Sequence, residues 1–135
     1  MNFYSAGKII ASVNALGQNL GLTTVDVYPY SGAVRSSNNE YYLDRNIVVR
    51  PAVFPDRNVK VRFYFTNEEA NNILNATGCG TCTVMTDPYE LGVTKYSGSI
   101  DDENGLLDDD ITGYFQYILP ANTEIIPYDN GYYAE

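Results

Sequence analysis

Apolar and polar residues alternate strictly through NVKVRFYFT. Val59, Val61, Phe63 and Phe65 point one way, while Lys60, Arg62 and Tyr64 point the other. That period of two predicts a half-buried strand. GKIIASV places Ile9, Ala11 and Val13 on one face, and TTVDVYPY does the same with Val25 and Val27. Pro29 argues for an edge or a strand end there. GAVR and EYYLDRNIVVR flank SSNN, a hairpin loop, and Pro51 ends the second arm. FPDRN is a further turn, and YELGVTKYSG and GYFQYIL supply two more strands. Near the end, Asn130-Gly131 supplies the residue types a type I′ turn requires. The expected hairpin has a full outgoing arm, Thr123 to Tyr128, and a short return arm, Tyr132 to Glu135, as if the last strand were cut short.

One helix interrupts the strands. Thr66 followed by Glu69 is a capping box, Ala70, Ile73 and Leu74 share a face, and Gly78 suits a left-handed end. The expected helix runs from about Asn67 to Ala76. Seven to nine short strands with one short helix predict an all-β chain, an antiparallel β-sandwich that is Ig-like or jelly-roll-like. Residues 1–135 read as a single module, excised from a longer chain and truncated within its last strand.

Seventeen acidic against eight basic residues give a net charge of −9. That charge disfavours nucleic acid and anionic lipid as partners. No apolar run approaches the roughly 20 residues of a membrane helix, so no membrane insertion is expected. The chain contains no histidine. Ser-His-Asp and Cys-His nucleophile systems are thereby excluded, along with the usual His-based metal sites.

Three constellations remain. Cys79 and Cys82 form a Cys-Gly-Thr-Cys pair just past the helix. A redox pair belongs at a helix N-terminus, where the dipole lowers the thiol pKa, and this one follows a C-terminus. A structural zinc needs four ligands, which two chains would have to share. A local disulfide in an exported protein is the third reading.

The segment SIDDENGLLDDD crowds Asp101, Asp102, Glu103, Asp108, Asp109 and Asp110 around Asn104 and Gly105. It reads either as a solvated acidic loop or as a calcium loop with Asp101, Asp102, Asn104 and Asp108 as ligands. The EF-hand pattern fails, because Ile100 and Ile111 fall where carboxylates are required. A glycosidase pair needs two carboxylates facing each other across a cleft, which loop neighbours do not supply. Finally, tyrosines lie on or beside most strands, from Tyr28 to Tyr133, either as cross-strand pairing residues or as a face for sugar rings or a protein partner.

GKIIASVN, LGLTTVDVY, YYLDRNIVVRP, VKVRFYFTNEE, GCGTCT, YELGVTKYSG and PYDNGYYAE occur in this order. Together they resemble a β-sandwich module found near the C-termini of large surface and secreted proteins of gliding bacteria, the cargo of the type IX secretion system. In that family the final GYYAE is followed by a Phe-initiated strand and a sorting domain. The resemblance implies an extracellular, oxidising location, which favours a Cys79–Cys82 disulfide, and it brings no catalytic residues or cofactors. It leaves the closing sheet edge to be open, covered by MNFYSA, or paired by another chain.

The expected function is that of a non-catalytic extracellular module of a large secreted or cell-surface protein. It would act as a spacer or adhesion unit beside neighbouring domains, a surface polysaccharide or another protein. The alternative is a carbohydrate-binding module of a secreted polysaccharide-degrading enzyme.

Overall fold

The computed structural model describes residues 1–97, 104–107 and 113–135. Eleven strands are found among them: β1 (Asn2–Ser5), β2 (Lys8–Asn14), β3 (Thr23–Pro29), β4 (Arg35–Ser37), β5 (Glu40–Tyr42), β6 (Arg45–Pro51), β7 (Lys60–Thr66), β8 (Val93–Ser97), β9 (Tyr114–Ile118), β10 (Ile125–Tyr128) and β11 (Gly131–Ala134). They form a five-stranded sheet in the order β1-β2-β7-β11-β10 and three two-stranded ribbons, β3-β6, β4-β5 and β8-β9. Every pairing is antiparallel. The architecture is all-β and sandwich-like, with one short helix, α1 (Asn67–Leu74).

The capping box forms as expected. Thr66 Oγ1 accepts from the Glu69 backbone N–H at 3.2 Å, and the Glu69 carboxylate accepts from the Thr66 N–H at 2.8 Å. The helix is about one turn's half shorter than its apolar pattern suggested, because Asn75 caps it by returning its side-chain amide to the Asn71 carbonyl. Gly78 is left-handed beyond it, with φ 102°.

β7 forms as expected, but it is not half-buried throughout: Tyr64, expected to face outward, is buried next to Phe65 because Tyr128 and Tyr133 cover that face. Phe65 packs with Ala70 of α1, Ile125 and Ala134, and Leu43, Leu91, Val93 and Tyr132 close over them. Ala11 and Val13 of β2 lie beside Phe63 and Val61 and are buried. Ile10 is buried as well, because the β1–β2 ladder shifts register between Phe3 and Tyr4 and the period of two breaks there.

The structure corrects four sequence expectations. EYYLDRNIVVR is not one arm: Leu43 and Asp44 divide it into β5, which pairs with β4, and β6, which pairs with β3. The terminal turn is centred on Asp129 and Asn130, with Asp129 left-handed at φ 51°, and Gly131 pairs with Tyr128 inside the strand. Gly131 is required for a different reason. A Cβ at that position would run into the Phe65 carbonyl oxygen and the Thr66 Cα of β7.

The short return arm, in turn, is no edge. β11 lies between β7 and β10 and pairs with both over all four of its residues. MNFYSA, one of the three alternatives for that edge, instead forms β1 at the opposite side of the sheet. The edge next to β11 is β10, where Pro127 removes a backbone donor and discourages further pairing.

Two arginines tie the ribbons together, one of them to the sheet. Arg45 of β6 donates to the Tyr64 carbonyl and pairs with the Glu69 carboxylate at 3.1 Å. Arg35 is buried and donates to the carbonyl oxygens of Leu43, Arg45 and Gly105 and to Asn46 Oδ1. Buried guanidinium groups need such a full set of acceptors. At the far end, Gln18 acts as a staple. Its amide nitrogen donates to the carbonyls of Arg57 and Asn58 at 3.1 Å, and its oxygen accepts from the Asp56 and Arg57 N–H groups.

Candidate functional site

The tyrosines separate into two groups. In the first, Tyr64 of β7 stands opposite Tyr133 of β11, with Tyr128 of β10 alongside. Their ring planes meet at 68°, 53° and 64° with centroids 5.0 to 6.2 Å apart, the edge-on geometry of packed aromatics. Tyr64 and Tyr133 are 8 % and 9 % exposed. Arg62 lies over the Tyr133 ring at 4.6 Å and is itself held by Glu135. Lys60 grips the other oxygen of the same carboxylate at 2.6 Å. These hydrogen bonds, Lys60 first, hold the Glu135 carboxyl below its usual 4.5 and raise the pKa values of both cations. This group packs against itself, and its rings are not arranged in a row.

The second group lies on the β8–β9 ribbon. Thr94 pairs with Tyr117 and Tyr96 with Phe115, so these four side chains share one face. Phe115 and Tyr117 are two residues apart on β9. Their rings are nearly parallel, 14° between planes with centroids 6.3 Å apart. Tyr96 tilts against Phe115 at 4.8 Å, and a Cβ on Gly113 would run into the Tyr96 ring. Tyr117 is 45 % exposed.

Polar groups border this strip. The β4–β5 hairpin turns through Asn38 and Asn39, left-handed at φ 50° and 65°, the type I′ geometry that asparagine tolerates. That turn brings the Asn38 amide to the Tyr117 hydroxyl at 2.9 Å. Tyr42 of β5 meets Thr94, with Tyr117 and Glu40 close by, and burial raises its phenol above the ordinary 10.0.

The cysteines are joined by a disulfide, with S–S 2.04 Å and Cα–Cα 5.4 Å. The loop it closes is fastened to the same hairpin. The Tyr41 hydroxyl accepts from the Cys79 N–H at 3.1 Å, Thr81 Oγ1 donates to Asn39 Oδ1 at 2.7 Å, and the Thr83 N–H donates to the Asn39 carbonyl. The disulfide therefore braces the turn that presents Asn38. A four-residue loop offers little entropy to remove, about 2 kcal/mol, so its mechanical role is local.

Of the four residues considered for calcium, Asp101, Asp102 and Asp108 lie outside the described residues. Asn104 is described, and its side-chain oxygen accepts from the Leu106 backbone N–H at 2.6 Å. Asn46 clamps this loop by donating to the carbonyls of Asn104 and Leu106, each at 2.8 Å. Among the described residues no three metal-ligating side chains converge. Two shallow depressions, of about 390 and 480 Å³, lie instead at the Gln18 end, bordered by Met1, Leu16, Leu20 and Arg57.

Phe115, Asn38 and Arg35 were not among the sequence candidates. The pairing of Phe115 with Tyr117 was foreshadowed by their spacing in GYFQYIL, whereas the approach of Asn38 required the tertiary fold. Compared with family models, curated proteins and solved structures, the chain matches none.

Proposed function

We propose that this chain is a non-catalytic, extracellular β-sandwich module of a larger secreted or cell-surface protein, serving as a spacer or adhesion unit. The observation that carries the reading is the Cys79–Cys82 disulfide, bonded into the β4–β5 hairpin by three hydrogen bonds. Disulfides persist in exported proteins and are rare where thiols are kept reduced. The ordered resemblance to modules of type IX secretion cargo supports the same location. Its partners are then the neighbouring domains of a parent protein and a surface polymer or protein, and the reading requires no cofactor.

Thiol titration tests it. Protein recovered from an oxidising compartment and denatured without reductant is expected to show no free thiol. Two free thiols per chain in such protein would remove the main support for export.

A further inference from the structure

We infer that the face formed by Phe115, Tyr117 and Asn38 binds an uncharged chain of pyranose sugars, an inference that rests on the adhesion reading above and names its ligand. A pyranose ring presents an apolar C–H face and a rim of hydroxyls. The matching protein surface is an exposed aromatic ring bordered by amide and carboxylate groups. Tyr117 supplies the ring, held in orientation by the near-parallel Phe115 at its side and by the Asn38 amide on its hydroxyl. The Asn38 amide borders it with a group that can both donate and accept, and the exposed Glu40 carboxylate lies two residues along the same hairpin, where it accepts from Thr83 Oγ1 at 3.3 Å.

Charge selects among the ligands that stack on aromatics. Single-stranded nucleic acid also stacks on tyrosine, but it relies on a cationic groove along its backbone. Here the chain carries −9, Glu40 is exposed on the adjoining hairpin, and Lys95 of β8 pairs with Gln116 on the opposite face of the ribbon. Anionic polysaccharide is disfavoured for the same reason. The Tyr64 group offers no comparable surface, because two of its three rings are buried and their planes cross steeply.

The test is affinity electrophoresis of the whole 135-residue chain through gels containing hydroxyethylcellulose, arabinoxylan, galactomannan or β-1,3-glucan. Polygalacturonate and single-stranded oligothymidylate serve as charged comparators. Retardation by at least one neutral polymer is expected, weakened about tenfold or more in Tyr117→Ala, as for a central aromatic contact. Tyr117→Phe keeps the ring and is expected to retain most of the binding. Tyr128→Ala removes an equally exposed tyrosine elsewhere and is expected to change nothing. Circular dichroism confirms that each variant folds, and Asn38→Ala gives a second weakening that leaves all rings in place.

No retardation by any neutral polymer would overturn the inference, as would binding that survives Tyr117→Ala or binding to the charged polymers alone. A chain with its disulfide intact and no sugar binding would sink this ligand and leave the exported spacer standing. Free thiols in exported protein would instead count against the module reading itself.

Discussion

Tyr64, Tyr128 and Tyr133 on the large sheet and Phe115 and Tyr117 on the β8–β9 ribbon are chemically similar groups put to opposite uses. On the large sheet three neighbouring strands bring the rings together across the ladder, so they meet edge to face and cover one another. On the ribbon two rings follow each other along one strand, and strand geometry keeps their planes within 14°. Tyr117 of the ribbon and Tyr128 at the margin of the packed group are alike in exposure, 45 % and 46 %, and Phe115 is half-buried beside Tyr96. The two regions differ in how their rings are oriented, steeply crossed on the large sheet and near-parallel along β9.

The contrast breaks first in stability. Tyr64→Ala removes a buried ring from between two others and is expected to cost about 3–5 kcal/mol, measured by urea unfolding. A cost under about 1 kcal/mol would mean that the cluster is not packed as described. Loss of the disulfide through Cys79→Ala with Cys82→Ala comes next, at about 2 kcal/mol. Hydrogen exchange should quicken in Asn38–Glu40 and leave β7 and β11 unchanged. Exchange that quickens throughout the sheet would contradict a local brace. Tyr117→Ala should then cost less than about 1 kcal/mol, since its ring is nearly half exposed. A large loss of stability would make Tyr117 a packing residue.

The smallest effect is a pH response confined to the packed group. Hydrogen bonds from Lys60 and Arg62 depress Glu135 below 4.5. Its stabilising contribution is therefore complete above that unfolded value and disappears as pH falls through the lower folded value. In the native chain the Arg62–Tyr133 contact should loosen in that window, seen as a shift of the Tyr133 ring resonances. Glu135→Gln should abolish the response, and Tyr117 should show none. A response in Tyr117 would mean that the Glu135 charge acts well beyond the Arg62–Tyr133 contact.

What could be read from the sequence was local. The strand at β7, the capping box at Thr66 and Glu69, and the all-β class follow from periodicity and short-range hydrogen bonds, and each is present, although Tyr64, expected to face outward, is buried by Tyr128 and Tyr133. The terminal turn was misplaced by one residue because Asn-Gly satisfies a turn as readily as Gly131 satisfies a close approach to β7, and only the neighbouring strand distinguishes the two. The division of β5 from β6 was hidden for a similar reason. Tyr41 to Val49 begin and end in strand formers around Asp44-Arg45-Asn46, and at the break the Leu43 carbonyl accepts from the buried Arg35. The spacing of Phe115 and Tyr117 was visible in the chain. The hairpin that brings Asn38 to Tyr117, from nearly eighty positions away, was not.

The placement of β11 bears on how such a chain comes to fold. Residues 131–134 occupy an inner position of the large sheet, and their partners on β7, residues 63–66, lie far earlier in the chain. While residues 131–134 are still emerging, β7 lacks one neighbour and β10 has none within the sheet. The large sheet therefore cannot be completed before residues 131–134 are available to pair. Pairing strands so distant in sequence is slow, on the order of milliseconds to seconds. A sheet closed in this order stays incomplete until residues 131–134 have paired with both neighbours.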